Sequence, residues 1–128
     1  MEFKIEGAYY KQNCFPGMND YTKCNRANKY AGNGMKQKYS KIARTYIHNT
    51  KLKNKQSLIT GPIAVKLEMG EIANRRDLDN ITIFATKVIF DAMQEEGIIQ
   101  NDKQIMKIES VKQLDKKPFI KVDIEEYE

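Results

Sequence analysis

The chain has 128 residues, 41% hydrophobic and 30% charged, with 22 Lys+Arg against 17 Asp+Glu, a net charge of +5 and a pI near 9.1. That is one domain's length, enough to bury roughly two-thirds of the unfolded surface. It excludes collagen-like, coiled-coil and extensively disordered chains. No apolar run approaches the roughly 18 residues of a membrane span. The alternation of charge and apolar residues in MEFKIEG is not a secretory signal core, so a cytoplasmic protein is expected.

Phe3 and Ile5 alternate with Glu2, Lys4 and Glu6, which predicts a strand over 2–7. The polar stretch 9–33 carries Gly17, Gly32, five asparagines and five aromatic rings, and reads as a long loop. Its tyrosines, interleaved with basic residues, suit either stacking on nucleic-acid bases or packing on the core. Met35, Tyr39, Ile42, Ala43, Tyr46 and Ile47 form one stripe of a helix over 34–49. Lys36, Lys38, Lys41 and Arg44 lie on its other side.

Gly61-Pro62 marks a turn, and Ile63, Val65, Leu67 and Met69 then alternate as a half-buried strand. After the polar break GEIANRRD, a second helical stripe runs through Ile81, Phe84, Ala85, Val88, Ile89 and Ala92. Gly97 is a plausible stop. Two alternating segments follow, at 105–111 and 120–125, separated by an LDKKP turn. The expected fold is α+β, a single small domain spanning 1–128 in β-α-β-α-β-β order. It has a mixed sheet with two helices packed on it.

Charge is unevenly divided. Residues 1–60 hold 12 Lys/Arg and 3 Asp/Glu, a balance of +9, while 61–128 hold 10 and 14. No acidic residue occurs between Tyr21 and Leu67, where eleven Lys/Arg fall. A one-sign stretch of that length suits a polyanion, nucleic acid first, although a solubilising surface also explains it. Cys14 and Cys24 read as reduced loop thiols. A zinc site built from them and His48 lacks both a fourth ligand and CxxC spacing.

The chemically informative stretch is Arg75-Arg76-Asp77-Leu78-Asp79-Asn80. On extended backbone Asp77 and Asp79 point the same way. Two adjacent carboxylates repel unless a cation lies between them, and hard divalent ions favour such oxygen ligands. Alternatively, Asp79 caps the 80–95 helix. Asp102 follows that helix and is expected to join the pair if the 105–111 strand lies beside the 63–69 strand. Lys87 and Asp91, four apart, can form an exposed pair.

RRDLDN, the K-x-x-x-D-A-M run from Lys87 to Met93, Gly97, and N-D-x-Q-I from Asn101 to Ile105 together resemble the RusA-type Holliday-junction resolvases. The resemblance implies a homodimeric, Mg²⁺-dependent nuclease, with Mn²⁺ as a substitute, acting on branched DNA by paired symmetric nicks. Such a protein works in recombination and repair in a bacterial or phage-infected cell. It implies Asp77, Asp79 and Asp102 as metal-binding catalytic aspartates, Lys87 as the catalytic lysine, and a DNA-contacting loop near Lys11, Gln12 and Asn13. Counted from the front of the helix, the lysine position holds Ile83; counted back from Asp91 it holds Lys87. The difference is four residues, about 6 Å along a helix.

On this reading the metal polarises a phosphate and activates water. Lys87, Arg75 or Arg76 stabilises phosphoryl charge. The arginines also suit flanking phosphates, and Lys36, Lys38, Lys41 and Arg44 suit junction arms. The competing class is a non-catalytic basic nucleic-acid-binding module whose aspartates cap a helix and pair with arginines. A third is a metal-dependent enzyme on small phosphorylated substrates, which leaves the basic half unused.

Overall fold

Alternation builds the sheet. A computed structural model describes residues 1–128, with strands β1 (Glu2–Glu6), β2 (Ile63–Glu71), β3 (Ile105–Leu114) and β4 (Phe119–Glu126). They form one mixed sheet in the order β1-β4-β2-β3. β4 is antiparallel to both neighbours, and β2 and β3 are parallel. The inward residues Phe3, Ile5, Ile63, Val65, Leu67, Met69, Ile120, Val122 and Ile124 are all buried. Removing side chains of this size from water stabilises the fold by roughly 1.5–3 kcal/mol each.

The helices cover that inward face. They are α1 (Met18–Ala27), α2 (Lys29–Asn54) and α3 (Leu78–Glu95). The expected α3 stripe is buried throughout (Ile81, Phe84, Ala85, Val88, Ile89 and Ala92), whereas of the α2 stripe Tyr39, Ala43 and Ile47 are buried and Met35, Ile42 and Tyr46 only partly so. The α+β class and mixed sheet hold, but there are three helices rather than two. The stretch 9–33 is not a structureless loop. Asn28, which reads as a loop residue, separates two helices by capping the second, its side chain accepting the Tyr30 N–H at 2.9 Å. α1 begins at Gly17, whose N–H donates to the Asp20 carboxylate at 2.8 Å. No helix is long and apolar enough to cross a membrane.

The tyrosines of that stretch mostly pack inward. Tyr10, Phe15, Tyr21 and Tyr39 form an aromatic cluster with Phe84, with ring centroids 5.2–6.4 Å apart. Only Tyr30 is largely exposed, at 76%. Cys14 is buried and free, its thiol pushed up to about 12 by that burial, and Cys24 is also free. His48 pairs with Glu96 at 2.9 Å rather than with either cysteine.

α3 ends as expected at Gly97, whose φ of +72° suits glycine. The Gly97 and Ile98 N–H groups donate back to the Gln94 and Met93 carbonyls at 3.1 and 2.9 Å, a Schellman closure. The chain then passes through a short 3-10 turn (Asp102–Gln104) and enters β3 beside the start of β2.

Candidate nucleic-acid interface and carboxylate site

The segment after β2 is held before it reaches the aspartates. Glu71 continues the inward alternation of β2 and is 3% exposed. Arg76 neutralises it with two hydrogen bonds of 2.8 Å, and a third Arg76 N–H reaches the Phe15 carbonyl at 2.9 Å. Arg76 is therefore committed within the fold. It is not the free phosphate contact expected from sequence. Glu71 was missed on reading the sequence, though a charge in register with Ile63, Val65, Leu67 and Met69 was the available signal.

Asp77 is the N-cap of α3, with extended backbone and no side-chain capping bond. Asp79, expected as the cap, instead lies in the first helical turn, its Oδ1 accepting the Asn80 N–H at 2.9 Å. The helix starts earlier than predicted because Asp77 already supplies the extended cap geometry. Asn80 ties this turn to α1: its Oδ1 accepts the Asn19 N–H at 2.8 Å. A Cβ at Gly17 would stand 2.5 Å from the Asn80 amide nitrogen, so glycine permits that approach.

Asp102 lies elsewhere. Its N–H donates to the Gln94 side chain at 2.9 Å, in the last turn of α3. From Leu78 to Gln94 a helix rises about 24 Å. β3 does pair beside β2, as expected, but a parallel crossover returns the chain to the start of β2. The Asp77 end lies past the end of β2. The three aspartates therefore do not meet within one chain, and no three His, Cys, Asp or Glu side chains come close enough to hold a metal ion. Asp77 and Asp79 alone offer oxygen donors suited to a hard divalent cation, and no ion pair commits either of them or Asp102. Within one chain the donor set is incomplete.

Lys87 is exposed midway along α3, about 12 Å in axial rise beyond Asp79. It lines a groove with Lys36, Asp91 and Asp102. It does not form the helical pair expected with Asp91.

Two basic surfaces lie along α3, one beside its Asp77 end and one against its later half. Tyr10 and Asn13 exchange backbone hydrogen bonds of 3.0 and 2.8 Å, and the resulting tight turn has Lys11 in the left-handed region at φ 54°. Lys11, Gln12 and Asn13 share a groove with Arg75 and Arg76, next in sequence to Asp77. Along α2, Lys36, Lys38 and Lys41 line a broad groove of about 940 Å³ against α3. Arg44 lines it too but is committed to Glu95 and Glu96, each at 3.0 Å. It joins the two helices and is not a free cation for DNA.

A small α+β protein with a helix-borne pair of carboxylates free of ion pairs, one cationic groove beside them and a second farther along the same helix, has the components of a phosphodiester-processing protein. The family model for endodeoxyribonuclease RusA matches residues 18–125, and the chain belongs to that family. The family is one of nucleases that resolve Holliday junctions. No individual curated protein matches the chain.

Proposed function

We propose that this protein is a divalent-metal-dependent, structure-selective endodeoxyribonuclease that cuts four-way DNA junctions by paired symmetric nicks. Its setting is recombination and repair in the cytoplasm of a bacterial or phage-infected cell. The observation that carries this reading is the meeting of the Lys11–Asn13 turn with Arg75 beside Asp77, at the end of α3 that also bears Asp79. That end of the helix combines an anionic pair with cations able to grip flanking phosphates.

Asp77 and Asp79 would hold Mg²⁺ there, with Mn²⁺ as a substitute. A bound ion of this kind polarises a phosphoryl oxygen and lowers the pKa of a bound water. Asp102, at the far end of α3, can join the pair only from a second copy. A symmetric dimer also matches a two-fold junction nicked on opposing strands. Arg75 and Lys87 are the remaining cations for phosphoryl charge, and Lys36, Lys38 and Lys41 supply a path for a junction arm.

The test is a nicking assay on an end-labelled synthetic four-way junction, with Mg²⁺ or EDTA, beside linear duplex. Paired nicks near the crossover that need Mg²⁺ are expected. Tight, salt-sensitive junction binding without cutting in Mg²⁺ or Mn²⁺ would overturn the nuclease reading in favour of a binding module.

A further inference from the structure

Three contacts mark the seam between α3 and β3. In the turn into β3, the Asp102 N–H donates to the Gln94 side chain at 2.9 Å. Farther on, Ser110 meets Thr82, oxygen to oxygen, at 2.7 Å. Last, the Lys112 ammonium donates to the Arg76 carbonyl at 2.8 Å. As β3 advances, its partners step back along α3 toward Asp77. Ile108, Ser110 and Lys112 align with Val65, Leu67 and Met69 of β2, on the helix side of the sheet.

Asp79 lies three residues before Thr82 and so shares its face of the helix. From the Thr82–Ser110 contact, Asp79 is about 4.5 Å back along the helix. Lys112 is about 6.7 Å onward along the strand, in the same sense. The seam therefore sets Lys112 level with Asp79, with its ammonium against the peptide that leads into Asp77.

Lys112 is half-buried, and no carboxylate pairs with it. An ammonium carries three donors, and the Arg76 carbonyl takes one of them. A cation at a helix N-terminus is unfavourable to the helix dipole, so an anion must compensate it there. Lys87, by contrast, is exposed and about 12 Å in rise beyond Asp79. A donor already held in place costs less to order than a free side chain when charge arrives.

We propose that Lys112 is a catalytic residue, whose ammonium binds a non-bridging oxygen of the phosphodiester cut at the Asp77–Asp79 pair. Its role in the cut rests on the nuclease reading above; the phosphate contact does not. The Arg76 carbonyl fixes the nitrogen beforehand, and the two free donors offset the charge that builds on the phosphoryl oxygens. This lysine comes from β3 and not from the helix that bears the aspartates. For that reason the spacing around RRDLDN does not reveal it.

Lys112→Gln tests this, because it keeps an N–H donor for the Arg76 carbonyl and removes the charge. It is expected to fold as wild type does and to nick a four-way junction in Mg²⁺ about 100-fold more slowly or worse. In EDTA it should flatten the dependence of log K for junction binding on log salt by about 0.9. Chemical rescue separates charge from hydrogen bonding. In a Cys24→Ser background, Lys112→Cys is alkylated, and Cys14 is spared because it is buried with its thiol pushed up to about 12. Bromoethylamine restores an ammonium and should recover both rate and slope. Iodoacetamide supplies a neutral N–H donor and should recover neither. An unchanged salt slope in Lys112→Gln, nicking within a few-fold of wild type, equal rescue by both reagents, or loss of folding in Lys112→Gln each overturns the inference. A wild type that never nicks, with the slope change and the ammonium-only recovery of slope intact, overturns the nuclease reading and leaves the phosphate contact standing.

Discussion

Arg76 donates two parallel hydrogen bonds of 2.8 Å to the buried carboxylate of Glu71, five residues earlier. Its remaining side-chain contacts are the Phe15 carbonyl and the Asp20 carboxylate, 3.9 Å away, and its own carbonyl accepts from Lys112. The residue preceding Asp77 is thus fixed by three separate parts of the chain. Glu71→Ala should lower stability by about 3 kcal/mol, because it leaves the largely buried guanidinium with only the more distant Asp20 as counter-charge. Replacing both residues with Met should cost much less than the sum of the single changes. Urea denaturation of the three variants measures this, and additive losses would show that the pair does not act as a unit.

Asp77 should be separable from folding. Asn caps helices about as well as Asp, and Asp77 makes no side-chain capping bond to lose. Asp77→Asn is expected to keep the melting temperature and to bind a four-way junction as well as wild type or more tightly. Cleavage should be abolished. Nicking and gel-shift assays on one preparation decide it; binding lost along with cleavage would make the aspartate structural.

The cations of α2 should divide into two kinds. Lys36, Lys38 and Lys41 carry no ion pair, whereas Arg44 bonds Glu95 and Glu96. Each lysine that meets a phosphate should, on removal, flatten the dependence of log K on log salt by about 0.9 for duplex DNA. Arg44→Ala should instead loosen the α2–α3 contact and leave that slope unchanged. Fluorescence anisotropy across a salt series, beside thermal melts, tells the two apart.

Glu96 supplies a pH dependence. Burial alone would raise its carboxyl pKa, but hydrogen bonds and charge from Arg44 and His48 hold it below the ordinary value of 4.5. A depressed folded value means that the stabilisation is fully present above the unfolded value. It is lost as pH falls through the folded one. Glu96→Gln should therefore destabilise by about 1 kcal/mol at neutral pH, the partners being half exposed. Near pH 3 the gap should shrink. Paired melting curves at the two pH values are the check, and an equal gap at both would remove the ion pairs as its cause.

Periodicity exposed the helix stripes and strands because burial on one face leaves a regular signature. It failed at α1, which buries no residue fully and reads as polar throughout. The local motif RRDLDN pointed to the right end of α3, yet the two arginines diverged in role. Nothing in a dipeptide of arginines says that the second will be drawn inward by a carboxylate. The separation of Asp102 from Asp77 was implicit in the parallel crossover, which always returns a chain to the strand's beginning. Which loop lies beside Arg75 depended on packing between distant segments, and the N-terminal turn carries no periodicity that would reveal it.

The strand order β1-β4-β2-β3 has a consequence for how the molecule comes into being. β4, the last strand in chain order, is the only neighbour of β1, and the Met1 amino group donates to the Ile124 carbonyl at 3.0 Å. During synthesis β1 must wait until β4 has emerged, after α1, α2, β2, α3 and β3, before it finds its place. Until then the β2–α3–β3 unit is the largest piece of sheet able to assemble, and its inner face stays open along the seam that β4 will fill.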